Sequence, residues 1–283
     1  MKLLSYAIGG AESWGAVTDA GVVDLAQAVP ACPTLADFIG SPDFEQRDAL
    51  LAGRSGAVIP LHDIRFLPVI PRPEKIVCVL RNYHEPDAGP DALPPPAFPP
   101  IFLRVWRSQV GHLAPVIRPR VSTQLDFEGE LAVMIGKAGR HIPAETALDH
   151  VAGYSIYNDV SVRDWQRHAQ QIASGKNFIG TGPFGPWMVT ADEIPNPSGL
   201  ALSTRLNGET VQSSDTSRLI FDVPALIAYC STIFDLVPGD VIVTGTPGGA
   251  GFTRKPPLYL KPGDRVEVEI ARIGTLSNDV IDE

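Results

Sequence analysis

Two similar segments late in this chain restrict the structures it can adopt. Residues 236–243 (LVPGDVIV) and 260–268 (LKPGDRVEV) each place a Pro-Gly pair directly before a run rich in β-branched residues. A Pro-Gly pair suits the two central positions of a type II turn, and β-branched residues favour strands. The C-terminal half is therefore predicted to consist of short strands joined by tight turns.

Helical pattern is confined mainly to one segment, residues 219–234. Asp222 and Pro224 in this segment are typical of a helix N-terminus. An Asp side chain accepts hydrogen bonds from the free N–H groups of the first turn, and Pro has no N–H group that would need an acceptor there. Two shorter helical stretches are predicted near the start of the chain, at residues 34–39 and 44–51. Strand patterns dominate the remainder, so we predict an α+β, strand-dominated fold.

Prolines 68, 71 and 73 punctuate the chain before the apolar strand-like run at residues 76–80. Closely spaced prolines interrupt regular structure and indicate a boundary between folded units. We therefore predict a small N-terminal accessory domain, residues 1–68, followed by a larger working domain, residues 69–283.

Composition narrows the functional classes. The formal net charge of −9 argues against a nucleic-acid-binding surface. No stretch approaches the ~20 apolar residues of a membrane span, and residues 1–7 lack the apolar core of a secretory signal. Cys32, Cys78 and Cys230 lack paired spacing and are expected to be reduced core thiols. We expect a cytoplasmic protein that binds neither nucleic acid nor membranes.

An acidic pair opens the apolar run at residues 126–135 (DFEGELAVMI). The run reads as a strand, in which alternate side chains share a face, so Glu128 and Glu130 are expected to point the same way. Asp126 joins them if the strand extends that far. Neighbouring like charges repel, and a bound cation would relieve that repulsion. A solvated strand face is the alternative, but the apolar residues that follow on this face favour a pocket.

Asp159 lies where a strand-like run gives way to a turn or a helix, within residues 153–166 (GYSIYNDVSVRDWQ). If a helix begins there, Arg163 and Gln166 share a face with Asp159, because they follow it by four and seven residues. The alternative is that Asp159 is a simple helix N-cap. Asp164 is expected to be a structural carboxylate that pairs with a nearby base.

Two glycine-containing segments supply groups that suit an anionic ligand. Lys176, directly after Gly175, is a cation available to a substrate carboxylate, although a surface lysine is the usual alternative. Residues 244–249 (TGTPGG), which include Thr246, follow a strand and present N–H groups and hydroxyls that could cradle an anion. This segment is not a Walker loop, because no Gly-Lys-Ser/Thr follows it.

Taken together, these segments resemble the fumarylacetoacetate hydrolase family over roughly residues 70–283. The matching motifs, in the family's order, are DFEGELAV (126–133), GYSIYNDVSVRD (153–164), GK (175–176), GPW (185–187), NGETVQ (207–212) and VTGTP (243–247). The run Arg81-Asn82-Tyr83 also fits. The resemblance implies a mixed β-roll catalytic domain, here residues 69–283, behind a small N-terminal domain, and it suggests a homodimer.

The resemblance further implies a divalent metal held by two glutamates and one aspartate. Carried onto this chain, the metal ligands are Glu128, Glu130 and Asp159. An all-carboxylate set suits Mg²⁺ or Mn²⁺, and Ca²⁺ would be accepted in vitro. The positions that resemble the family's holders of the pyruvyl or oxalyl end of the substrate are Arg163, Gln166, Lys176 and Thr246. We add Tyr83 as a substrate-binding residue and take Lys176 as catalytic.

One departure from the family concerns the activation of water. Hydrolases of this family carry Asn-Tyr-x-x-His-x-x-Glu, which places a His and a Glu on one turn of a lid helix. Here His84 and Glu85 follow Tyr83 directly, while Pro86 and Gly89 occupy the expected positions. Either His84, with Glu85, takes over catalysis from a shifted loop, or the chemistry does not rely on activated water. His168 is kept as a reserve base.

These features predict a metal-dependent hydrolase that cleaves a C–C bond in an acylpyruvate-like 2-oxo acid or 1,3-dicarbonyl, in the catabolism of aromatic compounds. The first alternative is a 2-oxo acid decarboxylase or an isomerase similar to 2-hydroxyhepta-2,4-diene-1,7-dioate isomerase. The missing His/Glu pair favours this alternative. The second is a non-catalytic family member that binds a dicarboxylate, or a protein partner through the proline-rich segment at residues 84–100.

Overall fold

The computed structural model describes residues 1–53, 58–84 and 94–283. Glu85 and the expected positions of the family's His and Glu therefore lie outside the described residues. No helix of the described parts is long and apolar enough to cross a membrane. The elements before residue 70 are β1 (Lys2–Ile8), β2 (Ala11–Thr18), β3 (Gly21–Asp24), α1 (Leu35–Ile39), α2 (Arg47–Ala52) and β4 (Arg65–Phe66).

Strands also dominate the rest of the described chain. Its elements are β5 (Ile76–Val79), β6 (Ile101–Arg104), β7 (Gln109–Val110), β8 (Val116–Arg118), β9 (Leu125–Asp126), β10 (Gly129–Ile135), β11 (Val151–Asn158), β12 (Ser161–Val162), α3 (Arg163–Gln166), β13 (Gly182–Thr190), β14 (Ala201–Leu206), β15 (Glu209–Asp215), α4 (Val223–Ile233), β16 (Val241–Val243), β17 (Arg265–Ile270) and β18 (Gly274–Asp282).

Most strands belong to one mixed sheet with the order β3-β2-β1-β13-β11-β10-β16-β5-β6, in which β4 pairs with β1 and β7 with β13. A second sheet has the order β15-β14-β17-β18-β8. In the large sheet β10 and β11 pair antiparallel, whereas β16 and β5 pair parallel. Because β1 pairs with β13, the predicted accessory domain shares a sheet with the working domain. The division at residue 68 stays a prediction.

The two Pro-Gly segments form the predicted turns and strands. Gly239 and Gly263 have φ angles of +91° and +88°, the left-handed conformation that the third position of a type II turn requires. Strands β16 and β17 follow them directly. The predicted helix is also present as α4, where the Asp222 carboxylate accepts from the Ala225 N–H at 2.9 Å. The local sequence patterns were therefore sufficient to predict both turns and the start of α4.

Strand β10 runs through the centre of the molecule and is buried along its whole length. Leu131 and Val133 face a core that includes Leu226 of α4, whereas Ala132 and Met134 face a second core. Burying one such aliphatic side chain stabilises the fold by about 1.5–3 kcal/mol. The start of β10 is therefore held firmly from both faces. The three cysteines are buried and form no disulfide, in line with the prediction.

Candidate metal centre

Three carboxylates that were predicted as metal ligands lie together in the structure. Oxygen atoms of Glu128, Glu130 and Asp159 come within 4.8 Å of one another, and all three side chains are buried. Glu130 lies in β10, Glu128 directly precedes that strand, and Asp159 directly follows β11. The two strand ends are joined where the Asp159 N–H donates to the Glu128 carbonyl at 2.8 Å. Antiparallel pairing of β10 with β11 thus assembles this carboxylate cluster.

The prediction of one continuous strand through residues 126–135 is wrong at its start. The chain breaks between β9, which ends at Asp126, and β10, which begins at Gly129. In the break the Glu128 N–H donates to the Asn158 side chain at 2.9 Å, while Phe127 packs into a separate apolar core. The break lets Glu128 meet residues of other segments, which strict alternation along a strand would not allow.

Asp126 lies outside the group of candidate ligands. Its carboxylate accepts hydrogen bonds from four N–H groups, which are those of Phe127 at 2.9 Å, Gly251 at 2.8 Å, Phe252 at 3.0 Å and Arg163 Nε at 2.8 Å. Burial raises the pKa of Asp126, and the facing Arg163 guanidinium opposes that rise. Asp126 therefore orients an arginine and a distant turn.

Lys176 lies between two members of the carboxylate cluster. Its Nζ donates to Glu128 Oε2 at 2.5 Å and to Asp159 Oδ2 at 2.6 Å, and the side chain is fully buried. Burial alone would lower the pKa of Lys176, but the facing carboxylates raise it. Lys176 is therefore a buried ammonium group within the site, and the alternative of a surface lysine is wrong.

A second buried cation, Arg104, was missed by the sequence analysis. Its Nη1 donates to Asp159 Oδ1 at 2.5 Å and its Nη2 to Thr181 Oγ1 at 2.8 Å. Asp159 therefore contacts two cations, and the alternative that it caps a helix is wrong, because α3 begins only at Arg163. The one sequence signal for Arg104 is a basic residue at the end of an apolar run, and that signal names no partner.

Arg163 and Gln166, predicted as substrate-binding residues, lie beside the cluster. Arg163 Nη2 donates to Glu128 Oε1 at 2.6 Å, and its Nη1 donates to Gln166 Oε1 at 3.0 Å. Helix α3 brings these two residues together, although it starts four residues later than the sequence suggested. Asp164 accepts a hydrogen bond from the Ser122 hydroxyl at 2.6 Å, so its partner is a hydroxyl rather than the predicted base.

Within the described residues, the site holds more buried carboxylates than buried cations. Three buried cations face four buried carboxylates, which are Arg104, Arg163 and Lys176 against Asp126, Glu128, Glu130 and Asp159. Arg163 and Lys176 lower the pKa of Glu128 despite its burial. Burial and the neighbouring Asp159 and Glu128 raise the pKa of Glu130, whose carboxylate accepts from the Gly245 N–H at 2.5 Å. One surplus carboxylate within an all-oxygen donor set fits a divalent cation such as Mg²⁺ or Mn²⁺.

Thr246, another predicted substrate-binding residue, lies on the loop that covers Glu130. Its Oγ1 donates to the Gly129 carbonyl at 3.0 Å and accepts from Gln212 Nε2 at 2.9 Å. Gln212 also accepts from the Gly129 N–H at 3.0 Å, so it joins the start of β10 to the loop. Gln212 ends the motif NGETVQ, which resembles the family, and no role was predicted for it from the sequence.

Tyr83 and His84 lie on a chain segment, residues 82–84, that runs beside residues 218–221. Tyr83 is buried and forms a bridge with Leu219, and the His84 N–H donates to the Arg218 carbonyl at 2.9 Å. This segment is joined to the loop that covers Glu130 by Asn82, whose Nδ2 donates to the Thr244 carbonyl at 2.8 Å. The His84 side chain is exposed, and within the described residues it makes no hydrogen bond to the carboxylate cluster.

His168, the reserve base, is exposed, and its ring lies 4.7 Å from that of Trp165. The predicted catalytic residue Glu85 lies outside the described residues. The residues brought together are therefore Glu128, Glu130, Asp159, Lys176, Arg163, Gln166 and Thr246. The proposed bases are not among them.

The family model for the fumarylacetoacetate (FAA) hydrolase C-terminal domain matches residues 75–281. This chain belongs to the fumarylacetoacetate hydrolase family. A human relative, oxaloacetate tautomerase FAHD2A, mitochondrial, is 41% identical over 270 residues, which cover 92% of this chain and 84% of the relative. A related protein from Archaeoglobus fulgidus is 41% identical over 226 residues, covering 80% of this chain and 86% of that one.

Solved structures of family members have the same fold. Maleylpyruvate hydrolase from Sphingobium sp. SYK-6, in complex with manganese(II) and pyruvate, is 30% identical with a TM-score of 0.83, covering 100% of this chain and 99% of the other. A 2-hydroxyhepta-2,4-diene-1,7-dioate isomerase from Mycobacterium marinum is 32% identical with a TM-score of 0.78 over the same shares. The family assignment and the strand-dominated fold are thus confirmed.

Family membership also supports enzyme activity, because the relatives named above are a tautomerase, a hydrolase and an isomerase. The manganese complex of one family member, together with the buried carboxylate cluster here, supports the binding of a divalent metal. One family member, maleylpyruvate hydrolase, binds a small 2-oxo acid, pyruvate, together with manganese.

Proposed function

We propose that this protein is a divalent-metal-dependent enzyme that tautomerises a 2-oxo acid with a second carbonyl two carbons away, as in oxaloacetate or an acylpyruvate. The observation that carries the proposal is the buried carboxylate cluster, in which Glu130 has no cation partner among the described residues, with Lys176 Nζ directly beside it. A divalent cation held by Glu128, Glu130 and Asp159 would polarise the substrate's oxygens and stabilise negative charge that develops on them.

The protein groups around the cluster supply the remaining chemistry. Lys176 would direct its N–H groups toward the 2-oxo oxygen, which gains negative charge when a proton passes from C3 to a solvent water molecule and loses it when a proton returns to that oxygen. Arg163 and Arg104 would orient the ligands, because each already donates to one carboxylate of the cluster. Gln166 and Thr246, at the edge of the cluster, would hold the carboxylate end of the substrate, together with Tyr83.

Tautomerisation makes a smaller demand on the site than hydrolysis does. It requires that an enolate be stabilised and a proton moved, whereas C–C hydrolysis also requires an activated water molecule. The exposed side chain of His84 and the altered lid motif therefore favour tautomerisation. The oxaloacetate tautomerase relatives, 41% identical over 92% of this chain, support the same choice.

Hydrolysis of a C–C bond in an acylpyruvate is the second candidate. It is favoured by the similarity to maleylpyruvate hydrolase, and it would use His84 or Glu85 as the base. Decarboxylation of the same substrates requires the same stabilised enolate. The intact carboxylate cluster with its buried cations argues against a non-catalytic binding protein.

Product analysis separates these reactions. The purified protein is incubated with oxaloacetate and with acetylpyruvate, in Mg²⁺, in Mn²⁺ and after chelation. Faster keto–enol exchange with no change of mass, lost on chelation, is the expected result. Pyruvate and acetate from acetylpyruvate would establish hydrolysis, and carbon dioxide from oxaloacetate would establish decarboxylation. No metal-dependent reaction of either compound would contradict the proposal.

Three further expectations remain proposals. A homodimer is supported by exposed apolar residues on and after the edge strand β6, among them Leu103, Val105 and Trp106. Light scattering after size-exclusion chromatography tests it, and a monomer would contradict it. A cytoplasmic location and a role in aromatic catabolism are proposed from the sequence alone. The human relative, by contrast, carries the word mitochondrial in its name.

A further inference from the structure

We propose that Phe252 determines substrate specificity, by forming an apolar wall beside the metal centre against which the acyl chain of the substrate packs. The inference rests on the proposed function and names the substrate class more narrowly. Among the substrates of the proposed function, it favours 2-oxo acids whose end remote from the carboxylate is an apolar acyl chain.

The position of Phe252 places it one side chain away from a candidate metal ligand. The centroid of its ring lies 4.2 Å from Arg163 Cζ, so the ring covers one face of the guanidinium. Arg163 in turn donates to Glu128 Oε1 at 2.6 Å. In the proposed arrangement, a substrate bound at the carboxylate cluster and extending along Arg163 would meet the ring of Phe252.

The turn that carries Phe252 is held in place from both sides. The Phe252 N–H donates to the buried Asp126 carboxylate at 3.0 Å, and the Leu258 N–H donates to the Gly251 carbonyl at 3.0 Å. A Cβ atom at Gly251 would lie 1.8 Å from the Leu258 carbonyl oxygen, so only glycine fits there. A wall on such a turn is preorganised, which favours selectivity.

The ring of Phe252 keeps accessible surface beyond the face that covers Arg163. The Arg163 side chain is only 3% exposed, whereas Phe252 remains 39% exposed although it is a large apolar residue. A ring that served only to cover Arg163 would have no effect on how substrate length changes binding. A ring that contacts an acyl chain gives up to about fourfold in affinity for each methylene group it shields from water.

A ladder of substrates tests the proposal. It comprises oxaloacetate and straight-chain acylpyruvates of increasing length, with kcat/KM measured for the wild type, Phe252→Ala and Phe252→Leu. Ile8→Ala is the matched control, because Ile8 is 41% exposed but lies at the end of β1. Calorimetry with the Mn²⁺-loaded proteins measures the same ladder as Kd, so the test does not depend on turnover.

In the wild type and Ile8→Ala, we expect kcat/KM and affinity to rise about two- to fourfold with each methylene. Phe252→Ala should flatten both ladders, and Phe252→Leu should keep part of the slope. Equal slopes in the wild type and Phe252→Ala, or a flat ladder in the wild type, would overturn the proposal. If affinity follows the expected ladder without any turnover, the proposed function fails while the specificity role of Phe252 stands.

Discussion

Replacing Lys176 with methionine should strengthen metal binding while it removes most of the activity. Lys176 Nζ touches two of the three candidate ligands, so a cation shared by those ligands would lie within a few ångströms of the ammonium group. At about 4 Å and an effective dielectric constant of about 20, two unit charges interact by about 4 kcal/mol, so a divalent cation and an ammonium group repel by about 8 kcal/mol. That repulsion disappears in Lys176→Met. The carboxylates of Glu128 and Asp159 also no longer have to give up their ion pairs with Lys176 when they bind a metal.

The same substitution should destabilise the metal-free protein. Removing one partner of a buried ion pair destabilises a protein by about 3–5 kcal/mol when the remaining charge is uncompensated, and Lys176→Met leaves only Arg104 and Arg163 to face the buried carboxylates. Metal binding compensates the charge, so the increase of Tm on adding Mn²⁺ should be larger in Lys176→Met than in the wild type. Turnover should fall by about 10²–10³-fold, because an N–H donor to the developing oxyanion is lost.

Calorimetric titration with Mn²⁺ measures the first effect, and thermal unfolding with and without Mn²⁺ measures the second. We expect the Kd for Mn²⁺ to fall at least about tenfold, which corresponds to ~1.4 kcal/mol. Lys75→Met is the matched control, because Lys75 also bridges two carboxylates, those of Glu74 and Asp240, away from the cluster. Weaker Mn²⁺ binding in Lys176→Met than in the wild type would refute the electrostatic argument.

Three further changes have distinct expected outcomes. Glu130→Gln should weaken Mn²⁺ binding at least about tenfold without destabilising the metal-free protein, because it removes the surplus buried charge; calorimetry and urea unfolding measure the two effects. His84→Ala should leave the tautomerisation rate unchanged. If the protein hydrolyses acetylpyruvate and this substitution lowers the hydrolytic rate, His84 is instead the base. Burial lowers the pKa of His112 from 6.5 to about 4. Its stabilising effect is therefore complete above pH 6.5 and lost as the pH falls toward 4, by about 2 kcal/mol between pH 7 and pH 5, a slope that His112→Asn should lack in urea unfolding.

Local sequence patterns predicted the features whose causes are local. The turns at Gly239 and Gly263 need a left-handed residue after a proline, and both the requirement and the residue lie within four positions. The start of α4 at Asp222 is local for the same reason. The repulsion between Glu128 and Glu130 is also a property of neighbours, so it indicated a cation site before any partner was placed.

The features that were missed depend on contacts between distant segments. The break before β10 arises because Glu128 bonds Asn158, and the role of Asp126 arises because it bonds the N–H groups of Gly251 and Phe252. Neither partner follows from hydrophobic periodicity, which predicts the face that a residue occupies and not the group that it meets. A strand pattern therefore gave the right element with the wrong start.

The counter-charges explain why a cluster of buried carboxylates is compatible with a stable fold. Isolated buried carboxylates would be strongly unfavourable, so each needs a cation or several hydrogen bonds. Arg104 and Lys176 supply the cations for Asp159, and Arg163 and Lys176 supply them for Glu128. Glu130 accepts a hydrogen bond from a backbone N–H but forms no ion pair among the described residues. The fold therefore gives a cation partner to every carboxylate of this group except Glu130, whose pKa is raised, and a divalent cation at this site would supply the missing positive charge.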